Sequence, residues 1–214
     1  MDEEVEIINT ITRNEKIRNF LINNKKKLII SISVIISILF CYFIYEEYQK
    51  KNKIDLANKY NFTVINFTPE EKNKAKESLI EIINKKDKTY SPLALYFIID
   101  NKIINENDLI NELFNVVINE TSLENEIKNL LIYKKALFNS DFETENNLIQ
   151  ILKPIINSNS IWKSHAFYLI AEYFYSKGEK KKSKEFFEQI LNLEISNNNI
   201  KKKAQKRLTK DLNE

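Results

Sequence analysis

The chain has 214 residues, of which 43% are hydrophobic, and a formal net charge of +3. This length accommodates one ordinary domain plus an anchor, and the hydrophobic share excludes wholesale disorder. A net charge this small gives no indication of the strongly basic stripe that nucleic-acid binding requires. The single glycine is too few for the turns of a β-rich fold, so the composition predicts long helices. Cys41 is the only cysteine, which excludes an intramolecular disulfide.

The first predicted element is an apolar run from Leu28 to Tyr45 that contains no charged residue. Its roughly 18 residues would span about 27 Å as a helix, close to the lower limit for crossing a membrane. A buried core helix and a cleaved signal peptide are the alternatives. Charges bracket the run, and Glu46 and Glu47 follow it where a cleavage site requires small residues. The predicted division is therefore a cytoplasmic segment, a transmembrane helix and a domain at 1–27, 28–45 and 46–214.

Positive charge is denser before this run than after it. Lys25, Lys26 and Lys27 abut its start, whereas Glu46 and Glu47 dilute the lysines that follow its end. Cytoplasmic flanks of membrane helices carry the excess of Lys and Arg. The flanks therefore predict an N-terminus in the cytoplasm and a large domain on the far side of the membrane.

Small side chains repeat every four residues within the run, at Ser33, Ser37 and Cys41. Small faces let helices approach closely in lipid, so this face is a candidate helix–helix contact within the membrane. The alternative is that serine is tolerated anywhere in a membrane span and marks no contact.

The rest of the chain is a series of helical patterns. Candidate hydroxyl caps precede four of them, at Thr68, Ser91, Ser122 and Ser160. Prolines follow the first two caps, at a position suited to the first helical residue. The last pattern places apolar residues at 200, 204, 208 and 212, and its many cations suit the solvated face of a capping helix. These patterns predict an all-α domain.

The clearest repeated unit runs from Trp162 to Ile195, with Gly178 between two amphipathic patterns. A tetratricopeptide repeat places its turn glycine there, and Ala171 and Ser183 then fall where the two helices cross closely. More degenerate units precede it at a spacing of about 38 residues. The pattern predicts a tetratricopeptide-like helical-hairpin solenoid, in which each hairpin buries its apolar face against its neighbours. An ordinary helical hairpin with a glycine cap is the alternative.

Several features share a recognisable layout: an acidic start at 2–5, a lysine-flanked single span, segments at 54–58, 78–98 and 130–143, and the hairpin around Gly178. This layout resembles the ancillary SecYEG translocon subunit family, the YfgM-like proteins, although the chain lacks that family's richness in glycine and alanine. The resemblance implies a single-pass protein of the bacterial inner membrane with a periplasmic domain. It also implies association with the Sec translocon and a membrane-anchored prolyl isomerase, and assistance to newly exported chains.

No catalytic constellation is evident in the sequence. His165 is the only histidine, one glycine cannot form a phosphate loop, and a zinc site would have only carboxylates to complete it. Acids and serines are scattered over predicted helix surfaces without an assignable Ser/His/Asp set. We therefore expect no enzymatic activity, and no cofactor, metal, small-molecule substrate or nucleic acid.

The predicted site is a peptide groove. Tetratricopeptide stacks bind peptides on the concave face formed by their first helices. Registered on Gly178, the positions facing this groove are His165, Tyr168, Glu172 and Tyr175 and, one unit earlier, Leu130, Lys134 and Leu137. Tyrosine and histidine combine apolar area with a polar tip, which suits varied peptides. The alternative is that these residues are packing or surface residues without a ligand.

Two functions fit this organisation. The first is an accessory factor of the Sec translocon and periplasmic chaperone network that binds exported or partner polypeptides. The second is a tetratricopeptide scaffold for envelope assembly or cell division. A factor that holds exported chains should bind many unfolded chains weakly, whereas a scaffold should bind one partner in a fixed proportion.

Overall fold

A computed structural model describes residues 15–194 and 196–212, and these residues form helices and connecting turns without a strand. The predicted all-α class is thereby confirmed for this part of the chain. The acidic start at 2–5, which supports part of the family resemblance, lies outside the described residues. A helical segment at 15–23 comes first. The longer helices are α1 (Lys25–Ile65), α2 (Lys72–Asn84), α3 (Tyr90–Asp100), α4 (Asn107–Glu120), α5 (Asn125–Asn139), α6 (Glu145–Ile156), α7 (Lys163–Ser176), α8 (Lys180–Leu191) and α9 (Asn198–Lys210), with a 3₁₀ turn at Pro69–Glu71.

The chain divides into two compact units between Asp55 and Leu56. Most of α1 belongs to the first unit, and none of its most apolar 18-residue stretch is buried. Among the described residues, α1 is the one helix that is long and apolar enough to cross a membrane.

In the second unit, every substantial contact between α2 to α9 joins helices that are one or two positions apart in the chain. Helices α2 and α3, α5 and α6, and α7 and α8 pack as neighbours, and α9 packs against both α7 and α8. Tight loops favour such antiparallel neighbours. The sequence order of the helices therefore follows their order in the packed unit.

The turn between α7 and α8 depends on Gly178, whose φ of +77° lies in the left-handed region. The Gly178 N–H donates to the Tyr175 carbonyl at 3.0 Å, and the Glu179 N–H donates to the Phe174 carbonyl at 2.9 Å. This pair of bonds is a Schellman motif, which satisfies the last carbonyls of the helix. A Cβ at Gly178 would meet no atom within 4 Å, so the glycine serves the backbone conformation and not a close contact.

The crossing of α7 and α8 brings Ala171 and Ser183 together, as the repeat pattern predicted. Both residues are fully buried, and the Ser183 hydroxyl donates to the Ala171 carbonyl oxygen at 2.8 Å. A small hydroxyl residue therefore fits the space and also finds a hydrogen-bond partner there.

The core of the second unit consists of two clusters. The main cluster joins residues from α2 to α7, including the fully buried Leu79, Phe114 and Leu148. The smaller cluster joins α7, α8 and α9 around Phe187. Helix α7 contributes to both clusters because buried side chains cover most of its circumference. The last two helices thus join the rest of the unit through α7, and an ion pair between Lys182 of α8 and Glu145 of α6 adds a direct contact.

The predicted hydroxyl caps are mostly wrong. Ser91 lies inside α3, where its buried hydroxyl donates to the carbonyl oxygens of Ile82 and Ile83 at 3.1 Å and ties α3 to α2. Asp87 caps this helix instead, because its carboxylate accepts two backbone N–H groups at 2.7 and 2.8 Å.

The other three predicted caps also differ from the structure. Thr68 makes no side-chain cap bond, and α5 begins after Glu124 and not after Ser122. Ser160 accepts the Trp162 N–H one turn before α7. Side-chain caps hold α6 and α9, at Thr144 and Asn197.

Candidate polypeptide-binding site

An aromatic cluster joins α5 to the start of α7. The Tyr133 and Trp162 rings stack with their centroids 5.9 Å apart, and the His165 ring lies 5.0 Å from Trp162 and 5.8 Å from Tyr133. Ring pairs at these separations add to the stabilisation that burial provides. Of the predicted groove residues on α7, His165 is the one that belongs to this cluster.

Burial keeps the His165 imidazole neutral. Burial lowers its pKa, the Ile161 carbonyl acts in the opposite direction, and the nearby Lys203 charge lowers the pKa further. Burial also raises the pKa of the Tyr133 hydroxyl. Both rings are therefore uncharged at neutral pH and present an apolar surface with polar edges.

A cleft of about 330 Å³ opens beside this cluster, lined by Ile161, Trp162, His165, Ser196 and Asn197. The Ile161 side chain is 57% exposed although it is fully apolar. Two buried atoms in the lining, His165 Nδ1 and Ser196 Oγ, complete no hydrogen bond of good geometry. An apolar wall with a few polar atoms is the usual character of a binding cleft. The cleft therefore suits an apolar side chain that is accompanied by a hydrogen-bonding group, as in a peptide.

The other predicted groove residues of α7 contact the terminal helix α9. Arg207 Nε donates to Glu172 Oε1 at 2.8 Å, and Arg207 Nη2 donates to the second carboxylate oxygen. The same guanidinium lies 4.2 Å from the centre of the Tyr175 ring and donates to Asp211 at 2.7 Å. Tyr168 packs edge-on against Phe187 of α8 at 5.4 Å, and its hydroxyl interacts with Glu172 and with Arg207 of α9. These three residues hold α9 in place, so any role in binding is combined with a structural role.

The charged groups in this α7–α9 contact stabilise each other's ionised forms. Burial raises the pKa of the Glu172 carboxyl, but hydrogen bonds from Arg207 and Tyr168 outweigh it and hold the pKa below its usual range. Burial and the bond to Glu172 raise the pKa of Tyr168 to about 12. Glu172 and Arg207 are therefore both ionised at neutral pH, while the Tyr168 hydroxyl keeps its proton.

The predicted groove residues on α5 remain accessible. Leu130 is half-buried, Lys134 is exposed, and Leu137 is 49% exposed. The Lys134 ammonium lies 4.1 Å from the centre of the Tyr96 ring on α3, which is a cation–π contact between two helices that are not adjacent in the chain. Burial raises the pKa of Tyr96 to about 12, so the ring stays neutral. Side chains of α3, α5 and the start of α7 thus meet along one side of the unit.

In the apolar run of α1, Ser33, Ser37 and Cys41 lie one helical turn apart, and Cys41 is exposed. The Ser37 hydroxyl donates to the Ser33 carbonyl oxygen at 2.9 Å, so it is satisfied within its own helix. A contact with a second membrane helix stays a prediction.

Sequence analysis missed Ile161, Tyr96 and Ser196 as site residues. One signal was present: Ile161 and Trp162 form an apolar pair directly before the periodic pattern of α7, where neither is needed for the buried face. The part that Ser196 plays depends on how the loop before α9 folds, and no local pattern carries that information.

The fold and the site together define an all-helical protein with one helix able to cross a membrane and an aromatic cleft on the helical unit that follows. Comparison with protein-family models, with curated proteins and with solved structures found no match. The resemblance to the YfgM-like proteins therefore stays a prediction that rests on the residues and the layout given above.

Proposed function

We propose that this chain is a non-enzymatic, membrane-anchored protein that binds polypeptides. Helix α1 anchors it, and α2 to α9 form a tetratricopeptide-like stack. The observation that carries the proposal is the contrast within the chain: an apolar run long enough to cross a membrane is left unburied, while the residues after it form a packed unit of their own. An anchor attached to an interaction domain has this organisation.

The pattern of contacts between the helices supports the proposed stack. In a repeat solenoid each unit contacts only its neighbours, so contacts join helices close in sequence. The substantial contacts among α2 to α9 follow this rule. The hairpin of α7 and α8 also has the glycine turn and the small residues at the crossing that a tetratricopeptide unit requires.

The cleft beside Trp162 and His165 is the proposed centre of binding, and the accessible row of Leu130, Lys134 and Leu137 extends it along α5. Exposed apolar side chains next to neutral polar rings suit peptides of varied sequence. The proposed partners are exported polypeptides, the Sec translocon and a membrane-anchored prolyl isomerase. The family resemblance supports these partners, and the cations before the apolar run support a periplasmic domain on the bacterial inner membrane.

The test is site-specific photo-crosslinking in intact cells with the full chain. A photoreactive residue replaces Ile161 in the cleft, and a matched variant carries it at Glu70, which is also exposed but lies in the 3₁₀ turn before α2. Ile161 is preferred to Tyr168 and Tyr175 because replacing those tyrosines would also loosen α9. We expect protein adducts from the Ile161 variant that the Glu70 variant does not give.

The identity of the adducts decides between the two functions. Many exported chains together with translocon subunits would support the export role. One envelope or division protein in a fixed proportion would support the scaffold role and exclude the export role. The same weak pattern of adducts from Ile161 and Glu70 would show that the cleft is not a binding site.

A further inference from the structure

The helical segment at 15–23 has an apolar face that no other described part of the chain covers. Ile17, Phe20 and Leu21 are spaced three and four residues apart, which places them on one side of the helix. Their exposed fractions are 50%, 59% and 50%. Asn19 lies toward the opposite side, and so does Ile22, which is 61% exposed and lies outside this face. None of the three apolar residues belongs to either core cluster.

This segment and the start of α1 together carry an excess of positive charge. Lys16 and Arg18 lie in the segment beside one acid, Glu15, and three further cations follow at Lys25, Lys26 and Lys27. The far end of the apolar run is different, because Glu46 and Glu47 follow it directly. Positive charge and an exposed apolar face are thus combined on one side of the proposed membrane helix.

Asn24 separates this segment from α1. The Asn24 backbone N–H donates to the Phe20 carbonyl at 3.0 Å, and its side-chain Nδ2 donates to the same carbonyl at 3.0 Å. Asparagine side chains that bond nearby backbone groups compete with the helical ladder and favour a change of direction. The helix is interrupted by a turn at this residue. Asn24 is therefore a suitable point for the chain to turn between a segment along the membrane surface and a segment across it.

We propose that 15–23 lies on the membrane surface, with Ile17, Phe20 and Leu21 among the upper acyl chains and the five cations on the phosphates of anionic lipids. Amphipathic helices of this kind bury their apolar face about 5–10 Å into the boundary between headgroups and acyl chains. Lipid is the occupant because the face is continuous with the proposed membrane span and the cations complement anionic headgroups. The inference rests on the proposed anchoring by α1.

The test measures depth in the membrane with the full chain in vesicles. In a Cys41→Ser background, single cysteines are introduced by Leu21→Cys on the apolar face, Asn19→Cys on the opposite side, and Ile36→Cys within the proposed span. Each carries an environment-sensitive fluorophore, and the vesicles contain acyl-chain-brominated lipids that quench it. One set of vesicles contains phosphatidylcholine and phosphatidylglycerol in equal amounts, and the other contains phosphatidylcholine alone.

We expect strong quenching at residue 36 in both sets of vesicles, strong quenching at residue 21 only with phosphatidylglycerol, and weak quenching at residue 19 throughout. Adding Lys16→Gln and Arg18→Gln should shift the bound-to-released equilibrium of the segment by about fivefold per cation. Lys25, Lys26 and Lys27 are left in place because they flank the span and orient it.

Three other outcomes would each overturn one part of the proposal. Quenching at residue 36 with equally weak quenching at residues 19 and 21 would overturn the surface helix and leave the anchor intact. Quenching at residue 21 that is the same in both sets of vesicles would overturn the role of anionic lipid. Absence of quenching at residue 36 would overturn the anchor itself, and the surface helix with it.

Discussion

Helices α1 and α7 show two ways to stabilise a helix that is apolar around most of its surface. Helix α7 buries eight of its fourteen residues against neighbouring helices. Helix α1 buries only Thr63 among forty-one, and its apolar run is exposed from 29 to 45. A helix that is hydrophobic all round belongs either in a protein core or in a membrane. Neither core cluster of the described residues includes the run in α1, so a membrane is the environment that the proposed anchor assigns to it.

The polar groups of the two helices differ in the same way. In α7 the buried ones have partners on other elements: the Tyr173 hydroxyl donates to the Glu143 carbonyl at 3.1 Å, and Ser164 accepts the Asn197 N–H at 3.3 Å. In the apolar run of α1, Ser37 bonds the carbonyl oxygen of Ser33 on its own helix. Lipid offers no hydrogen bonds, so a membrane helix must satisfy its polar groups internally. The partners of polar side chains thus separate the two environments as clearly as burial does.

The largest expected effect comes from placing the same charge in both helices. Ile170 is 1% exposed, so Ile170→Lys would bury an unpaired charge and reduce the free energy of unfolding by about 3–5 kcal/mol. Ile36→Lys should leave that free energy unchanged and cost about 2.5–3.5 kcal/mol in membrane insertion instead. Denaturant unfolding followed by the fluorescence of Trp162, the only tryptophan, reports on the helical unit alone.

Membrane insertion is measured separately, as the fraction of each variant that resists alkaline extraction. Ile65→Lys is the control for α1, because Ile65 is 80% exposed and lies beyond the apolar run. A loss of domain stability in Ile36→Lys would contradict the comparison, since it would mean that the run packs against the helical unit.

The sequence predicted the apolar faces well because they depend on local spacing. The last pattern placed apolar residues at 200, 204, 208 and 212, and of these Ile200, Ala204 and Leu212 are buried. The hydroxyl caps were predicted less well because a serine near a helix start can donate its hydroxyl to several nearby carbonyl oxygens. Which carbonyl it bonds depends on how the neighbouring helix packs. The pairing of Glu172 with Arg207 crosses thirty-five residues, so no local pattern could reveal that α9 covers part of the predicted groove.

A smaller loss of stability is expected from enlarging a residue at the crossing of α7 and α8. The run in α1 is unburied and has no such packed crossing. Ser183→Leu would force a larger side chain against the Ala171 carbonyl and reduce the free energy of unfolding by about 1–3 kcal/mol. Ser176→Leu is the control, because Ser176 is exposed near the end of α7. The same Trp162 fluorescence measurement compares them, and equal stability of the two variants would mean that the crossing tolerates a large residue.

The smallest effect concerns the Arg207–Glu172 pair, which joins α9 to α7 by charge. Because Glu172 has a lowered pKa in the folded chain, its contribution is complete above the ordinary glutamate pKa and is lost as pH falls through the lowered value. Glu172→Gln should therefore cost about 1 kcal/mol at neutral pH and nothing in strong acid. Unfolding curves of both chains across this pH range measure the difference. A difference that stays constant with pH would mean that Glu172 stabilises α9 through its shape and packing and not through its charge.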